Sequence, residues 1–136
     1  MIHYIEHKDI DFKKWDACIV NASNRLIYGF SWYLDVICDD WDALVLNDYE
    51  AVFPLPKRKK WGIEYIYQPF FCQQLGVFSK KKLNADLFLK SIPEKFIYIE
   101  LNVNTNTKYC VKRNVNHILS LEGSIDCLYK NFSSSH

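Results

Sequence analysis

The chain of 136 residues predicts an α/β (α+β) fold, a mixed and mostly antiparallel sheet with helices on its faces. Three observations carry that expectation. Runs with apolar residues at helical spacing, residues 12–22 and 80–92, are interleaved with β-prone runs. Residues 41–46, 49–55 and 63–67 are rich in Trp, Val, Tyr, Phe and Ile and are separated by short turn signals, which describes a meander of three antiparallel strands. Residues 96–102, Phe-Ile-Tyr-Ile-Glu-Leu-Asn, form an almost unbroken apolar run, typical of a central strand covered on both faces.

In chain order, residues 3–6 read as a first strand, followed by the helix at 12–22, with Phe12, Trp15 and Ile19 on one face and Asp11 or Asp9 placed to cap it. Ser31 has the hydroxyl of an N-cap for a second helix over residues 32–38. That helix is apolar nearly all round, which suggests an element wedged between others. Asp39-Asp40 ends it. The first hairpin turns at Asn47-Asp48. Pro54 and Pro56 cannot donate to a ladder, so the far half of their strand belongs at an edge or where the sheet splays. Lys57, Arg58, Lys59 and Lys60 with Trp61-Gly62 read as the next turn, and residues 63–67 return from it.

Beyond residues 68–79, the helix at 80–92 would bury Leu83, Leu87 and Phe88 and stop at Pro93. After the apolar run and a loop at 102–106, residues 109–111 and 117–121 read as two short edge strands. Gly123-Ser124 starts a last helix with Ile125, Leu128, Tyr129 and Phe132 on one face.

Composition narrows the function classes. At 49% apolar residues the chain reads as a single domain, residues 1–136, able to bury a real core, and low-complexity classes are excluded. Seventeen basic and sixteen acidic residues leave a net charge of +1, so any anion site must be local. Five scattered cysteines without a Cys-x-x-Cys pair point to reduced, mostly buried thiols, with neither a disulfide framework nor a metal site. No signal-peptide pattern opens the chain and no run approaches the ~18 apolar residues of a membrane span, so a cytoplasmic location is the expectation.

Four stretches carry a resemblance. They are Ser31-Trp32-Tyr33-Leu34-Asp35, Trp41-Asp42-Ala43-Leu44-Val45, Tyr49-Glu50-Ala51-Val52-Phe53-Pro54-Leu55-Pro56 and Tyr67-Gln68-Pro69-Phe70-Phe71-Cys72-Gln73-Gln74-Leu75-Gly76-Val77-Phe78-Ser79. With the order of elements, they resemble an uncharacterised bacterial family with the acyl-CoA N-acyltransferase (GNAT-like) fold, related to the FemAB peptidoglycan aminoacyltransferases. The resemblance covers the N-terminal lobe of that two-lobe arrangement. It implies an acyl or aminoacyl transferase acting on an amine acceptor, incomplete for catalysis alone, with acetyl-CoA or an aminoacyl-tRNA as donor to the full-length protein. It further implies that the donor is held by a second lobe of the same fold. A tRNA or a cell-wall precursor would be its partner. The alternative is a non-catalytic interaction module that forms a homodimer or pairs with a second lobe.

The candidate site residues fall around residues 66–79. In enzymes of this fold a Gly-rich turn at a helix N-terminus binds the coenzyme A pyrophosphate. Gln73, Gln74 and Gly76 are the nearest analogue, with Phe78 where a small residue belongs; the other reading is a structural turn whose glutamines bond local backbone. Tyr65, Tyr67 and Gln68, with the other two glutamines, could line a polar acceptor cleft. Lys57, Arg58, Lys59 and Lys60, joined by Lys80, Lys81 and Lys82, form the anion patch, against the plainer reading of a solvated hairpin tip. No catalytic residue is identified. Cys72 reads as a buried thiol, the acidic residues Asp39, Asp40 and Asp42 as a helix-ending turn, and His3 and His7 as surface residues.

Overall fold

The structure is a computed structural model that describes residues 1–109 and 124–130, the side chains of residues 127–129 excepted. It shows a five-stranded, mostly antiparallel sheet with helices on both faces. Strands β1 (Ile2–Ile5), β2 (Asp40–Leu46), β3 (Ala51–Lys60) and β4 (Ile63–Ile66) lie side by side in that order, and β5 (Phe78–Ser79) pairs with the start of β3. Helices α1 (Phe12–Asn21) and α2 (Ser31–Ile37) connect β1 to β2, α3 (Ala85–Lys90) follows β5, and α4 (Ile125–Lys130) comes last.

Strand alternation sends residues of β2 and β3 to opposite faces, each with its own core. On one face Trp15 and Ile19 of α1 and Leu34 of α2 pack against Trp41, Ala43, Val45 and Val52. On the other, Ala85 and Phe88 of α3 pack against Leu44, Phe53 and Leu55, with the Phe53 and Phe88 rings stacked at 6.0 Å. Each of the larger of these buried side chains contributes about 1.5–3 kcal/mol, so the central pair β2 and β3 is the spine of the fold.

Helix α1 begins as expected, the Asp11 carboxylate accepting from Lys14 N at 3.1 Å. Helix α2 does not. Ser31 is its first residue, and its amide and hydroxyl both donate to the Asp16 carboxylate, at 2.9 and 2.7 Å, so α1 caps α2 from outside. Nor is α2 wedged between elements: Trp32 and Val36 are exposed and only Ser31 and Leu34 are buried.

The meander is present, but its second hairpin is longer than expected. Lys57, Arg58, Lys59 and Lys60 are the last four residues of β3 and pair with Ile66, Tyr65, Glu64 and Ile63 of β4; the turn is Trp61-Gly62 alone. Both turn residues have positive φ, 51° and 79°, the condition for a two-residue hairpin loop whose twist matches its strands. Pro54 and Pro56 sit where the neighbours splay: β5 reaches only Ala51 and Val52, and β4 starts pairing at Lys57.

Two further expectations are corrected. The helix after residue 79 is confined to Ala85–Lys90, capped by Asn84, whose side chain accepts from Asp86 N at 2.8 Å, and Leu87 is exposed. The run 96–102 is not a covered central strand. It lies outside β4, parallel to it, through a bridge between Ile66 and Ile99, and Ile97, Tyr98 and Ile99 are exposed. Tyr109 stands in a turn. The expected strand at 117–121, residues 110–111 and Phe132 lie outside the described residues.

Candidate functional site

The chain beyond β4 forms the first candidate region. Ile66 N donates to Tyr98 O at 3.0 Å and Glu100 N to Ile66 O at 3.1 Å, so the outer segment runs alongside the carboxyl end of β4. The turn that follows is laced to it. Gln68 Nε2 donates to Cys72 O at 2.6 Å while its Oε1 accepts from Asn102 N at 2.9 Å. Asn102 Nδ2 donates to Gln73 O at 3.2 Å, Leu75 N to Asn102 O at 2.7 Å, and Asn104 N back to Leu75 O at 2.7 Å. Gln68 therefore bonds backbone on both sides, of its own turn at Cys72 and of the outer segment at Asn102.

Gly76 has φ of 124°, and a Cβ there would collide with the Asn104 side-chain oxygen, so only glycine fits. Gly76 leads into β5, with Phe78 fully buried, and the next helix starts at Ala85. Helix-terminal amides, which a coenzyme A pyrophosphate would need beside Gln73, Gln74 and Gly76, are therefore not at this turn. Cys72 is buried, and burial pushes its thiol up to about 11, so its thiolate is scarce at neutral pH.

The second region lies along the β3–β4 hairpin. An open groove of about 460 Å³ is lined by Asp39, Asp40, Lys57, Arg58, Lys59, Lys60, Glu64 and Tyr65. The structure thus gathers all four residues of the basic run with Tyr65. Tyr67 is buried nearby, its ring 6.5 Å from that of Tyr65 and covered by the Arg58 guanidinium at 4.0 Å. Gln68 does not line this groove. Half of the run is neutralised: Arg58 Nε meets Asp39 Oδ2 at 2.5 Å, and Lys57 Nζ lies 2.7 Å from Asp42 Oδ2 and 3.3 Å from Asp40 Oδ2. The acidic residues read from sequence as a helix-ending turn are thus ion-pair partners of the next strand.

Asp42 is the feature that sequence reasoning missed. It is fully buried, yet its carboxylate has three partners: the Tyr4 hydroxyl and Lys57 Nζ on Oδ2, and His7 N at 2.9 Å on Oδ1. Burial first, and then the adjoining Asp42 carboxylate, hold the Tyr4 phenol well above its ordinary range. Burial alone would lower the Lys57 ammonium, but its hydrogen bond to Asp42 and the charges of Asp42 and Asp40 outweigh that and raise it. His7 is more than a surface residue: its ring packs 5.2 Å from those of Phe12 and Trp41, and its Nε2 lies 2.9 Å from Asp35 Oδ1. The available signal was an acidic residue in the inward phase of a strand, Trp41-Asp42-Ala43-Leu44, which demands a cation nearby.

Among the described residues no cluster of His, Cys, Asp or Glu is placed to hold a metal ion, and no helix is long and apolar enough to cross a membrane. No protein-family model matches the chain, and no curated protein or solved structure matches it either.

Proposed function

We propose that this chain is the N-terminal lobe of a FemAB-like acyl or aminoacyl transferase, and that it shapes the acceptor side of the reaction site. The observation that supports this most is the change of sense beside β4, where an otherwise antiparallel sheet takes up a parallel neighbour at Ile66 and Ile99. Open α/β sheets bind ligands beyond the carboxyl ends of parallel strands, and β4 with the segment at Ile99 forms such a parallel pair here. The amide-rich turn of Gln68, Gln73, Gln74 and Asn102 stands at that end.

Transfer of an acyl group to an amine needs little from side-chain acids or bases when the amine is held about 3–3.5 Å from the acyl carbon and polar hydrogens face the developing oxyanion. The lobe's part in this reading is to hold the acceptor, with acetyl-CoA or an aminoacyl-tRNA held by a second lobe. The acceptor is a peptide or amino sugar with a free amine, of the kind found in cell-wall precursors.

Backbone amide NMR tests the reading. A nucleotide-linked muropeptide carrying a lysine amine is expected to move the signals of Gln73, Gln74, Gly76 and Asn102, and acetyl-CoA alone to leave them in place. Unmoved signals at millimolar muropeptide would contradict the reading.

A second reading, a non-catalytic interaction module, is favoured by the exposure of Phe70 (94%) and Phe71 (77%) in the turn after β4, together with Ile97 and Tyr98. Sedimentation equilibrium distinguishes it, since a monomer at high concentration would count against self-association.

A further inference from the structure

The tip of the β3–β4 hairpin carries a side chain that the fold does not need. Trp61 is 91% exposed and has φ of 51°. Asn or Gly satisfies that turn position readily, whereas a bulky ring at positive φ is an outlier. Trp61 therefore sits at a disfavoured backbone position and buries almost nothing in return. Its surroundings are ordered by register. Lys60 stands opposite Ile63 and Arg58 opposite Tyr65, so one face of the hairpin carries cations paired with apolar or aromatic residues, with Trp61 beyond them. Ile63 is exposed, and Lys60 Nζ lies 5.0 Å from the Trp61 ring centre.

We infer that this tip is a contact for a lipid surface bearing anionic headgroups, met end-on, with Trp61 and Ile63 entering the headgroup layer and Lys60 on one face and Lys59 on the other, opposite Glu64, reaching the phosphates. An indole ring is at home at that boundary, half apolar and half wet. Lysine stems lie along apolar surface while the ammonium reaches a charge, and a negative leaflet attracts them. Charge complementarity selects this partner over a nucleic acid. Binding to a phosphate backbone grows with the number of unneutralised cations, but Lys57 and Arg58 are already held by carboxylates, and Asp39, Asp40 and Glu64 line the adjoining groove. Two exposed lysines around an exposed Trp fit a small insertion point instead. This inference does not rest on the transferase reading.

Co-sedimentation of the chain with vesicles tests it. The chain is expected to sediment with vesicles of phosphatidylcholine mixed with phosphatidylglycerol at low salt, and far less with phosphatidylcholine alone. Lys59→Gln and Lys60→Gln are each expected to weaken binding about fivefold. Trp61→Asn keeps the turn and removes the ring; binding is expected to fall more than about tenfold with a melting midpoint at or above that of the unsubstituted chain. No sedimentation with either vesicle, binding unchanged by Trp61→Asn, or lysine-dependent binding to tRNA in place of lipid would each overturn the inference.

Discussion

The last four residues of β3 are cations in a row, yet the two ends of the run live in different physical worlds. At the root, Lys57 reaches into the sheet beside a fully buried Asp42, with Tyr4 and the His7 amide completing the carboxylate's hydrogen bonds. At the tip, Lys59 and Lys60 are exposed and lead to a Trp in a left-handed turn. A run of like charge is therefore not one patch. The register with β2, which ends at Asp40 opposite Lys57, divides it into a part that stabilises the fold and a part that extends past β2 to the outside.

The strongest way to break this comparison is at the root. Asp42→Ala leaves Lys57 charged beside an emptied pocket and the Tyr4 hydroxyl and His7 amide unsatisfied; a loss of about 3–5 kcal/mol in urea denaturation is expected. A loss below about 1 kcal/mol would mean that the root is no more structural than the tip. Tyr4→Phe removes one hydrogen bond to a charged acceptor and should cost about 1.5–3 kcal/mol by the same measurement.

Alkali should act on stability through the root and the core. The Tyr4 and Lys57 protons are held more tightly in the fold, and burial pushes the thiols of Cys18 and Cys72 up to about 11 and of Cys38 up to about 12. Each group has its folded pKa above its unfolded one, so the folded chain holds the extra protons. Its stabilising effect is complete below about pH 9 and is lost as pH rises through 11 to 12. Thermal scans across that range should show a falling midpoint, with thiol reagents reacting slowly at pH 8 with Cys18, Cys38 and Cys72; fast labelling of these three at pH 8, located by peptide mapping, would contradict their burial.

Smaller effects sharpen the other end. Trp61→Asn should raise stability by about 0.5–1 kcal/mol, because the left-handed position then holds a residue suited to it. Asp39→Ala breaks the exposed pair with Arg58 and should cost less than about 1 kcal/mol.

The same division explains what could be read from the sequence. The first strand, the Asp11 cap, the three-stranded meander and the sheet's splay at Pro54 and Pro56 follow from local periodicity and backbone chemistry, and all are present. Four consecutive cations look like a turn because their partners are cross-strand, and register cannot be seen in a single segment. Residues 96–102 look buried because an apolar run reports its preference for other surfaces, not how many neighbours the fold supplies; here β4 lies on one side only among the described residues. Ser31 has the chemistry of a cap, but Asp16 on a different helix supplies it. At the candidate site, the glutamine-rich turn was legible as a turn, whereas the Asp42 centre required the pairing of three separate segments.

The central claim, that the outer end of the run faces a lipid surface while the inner end holds the fold, is tested most directly by fluorescence quenching with brominated phosphatidylglycerol. Trp15 and Trp41 are buried, so comparison of the unsubstituted chain with Trp61→Asn isolates the tip ring from the remaining exposed Trp32. Quenching present in the first and lost in the second is the predicted result. Equal quenching in both, or none in a vesicle-bound chain, would contradict it.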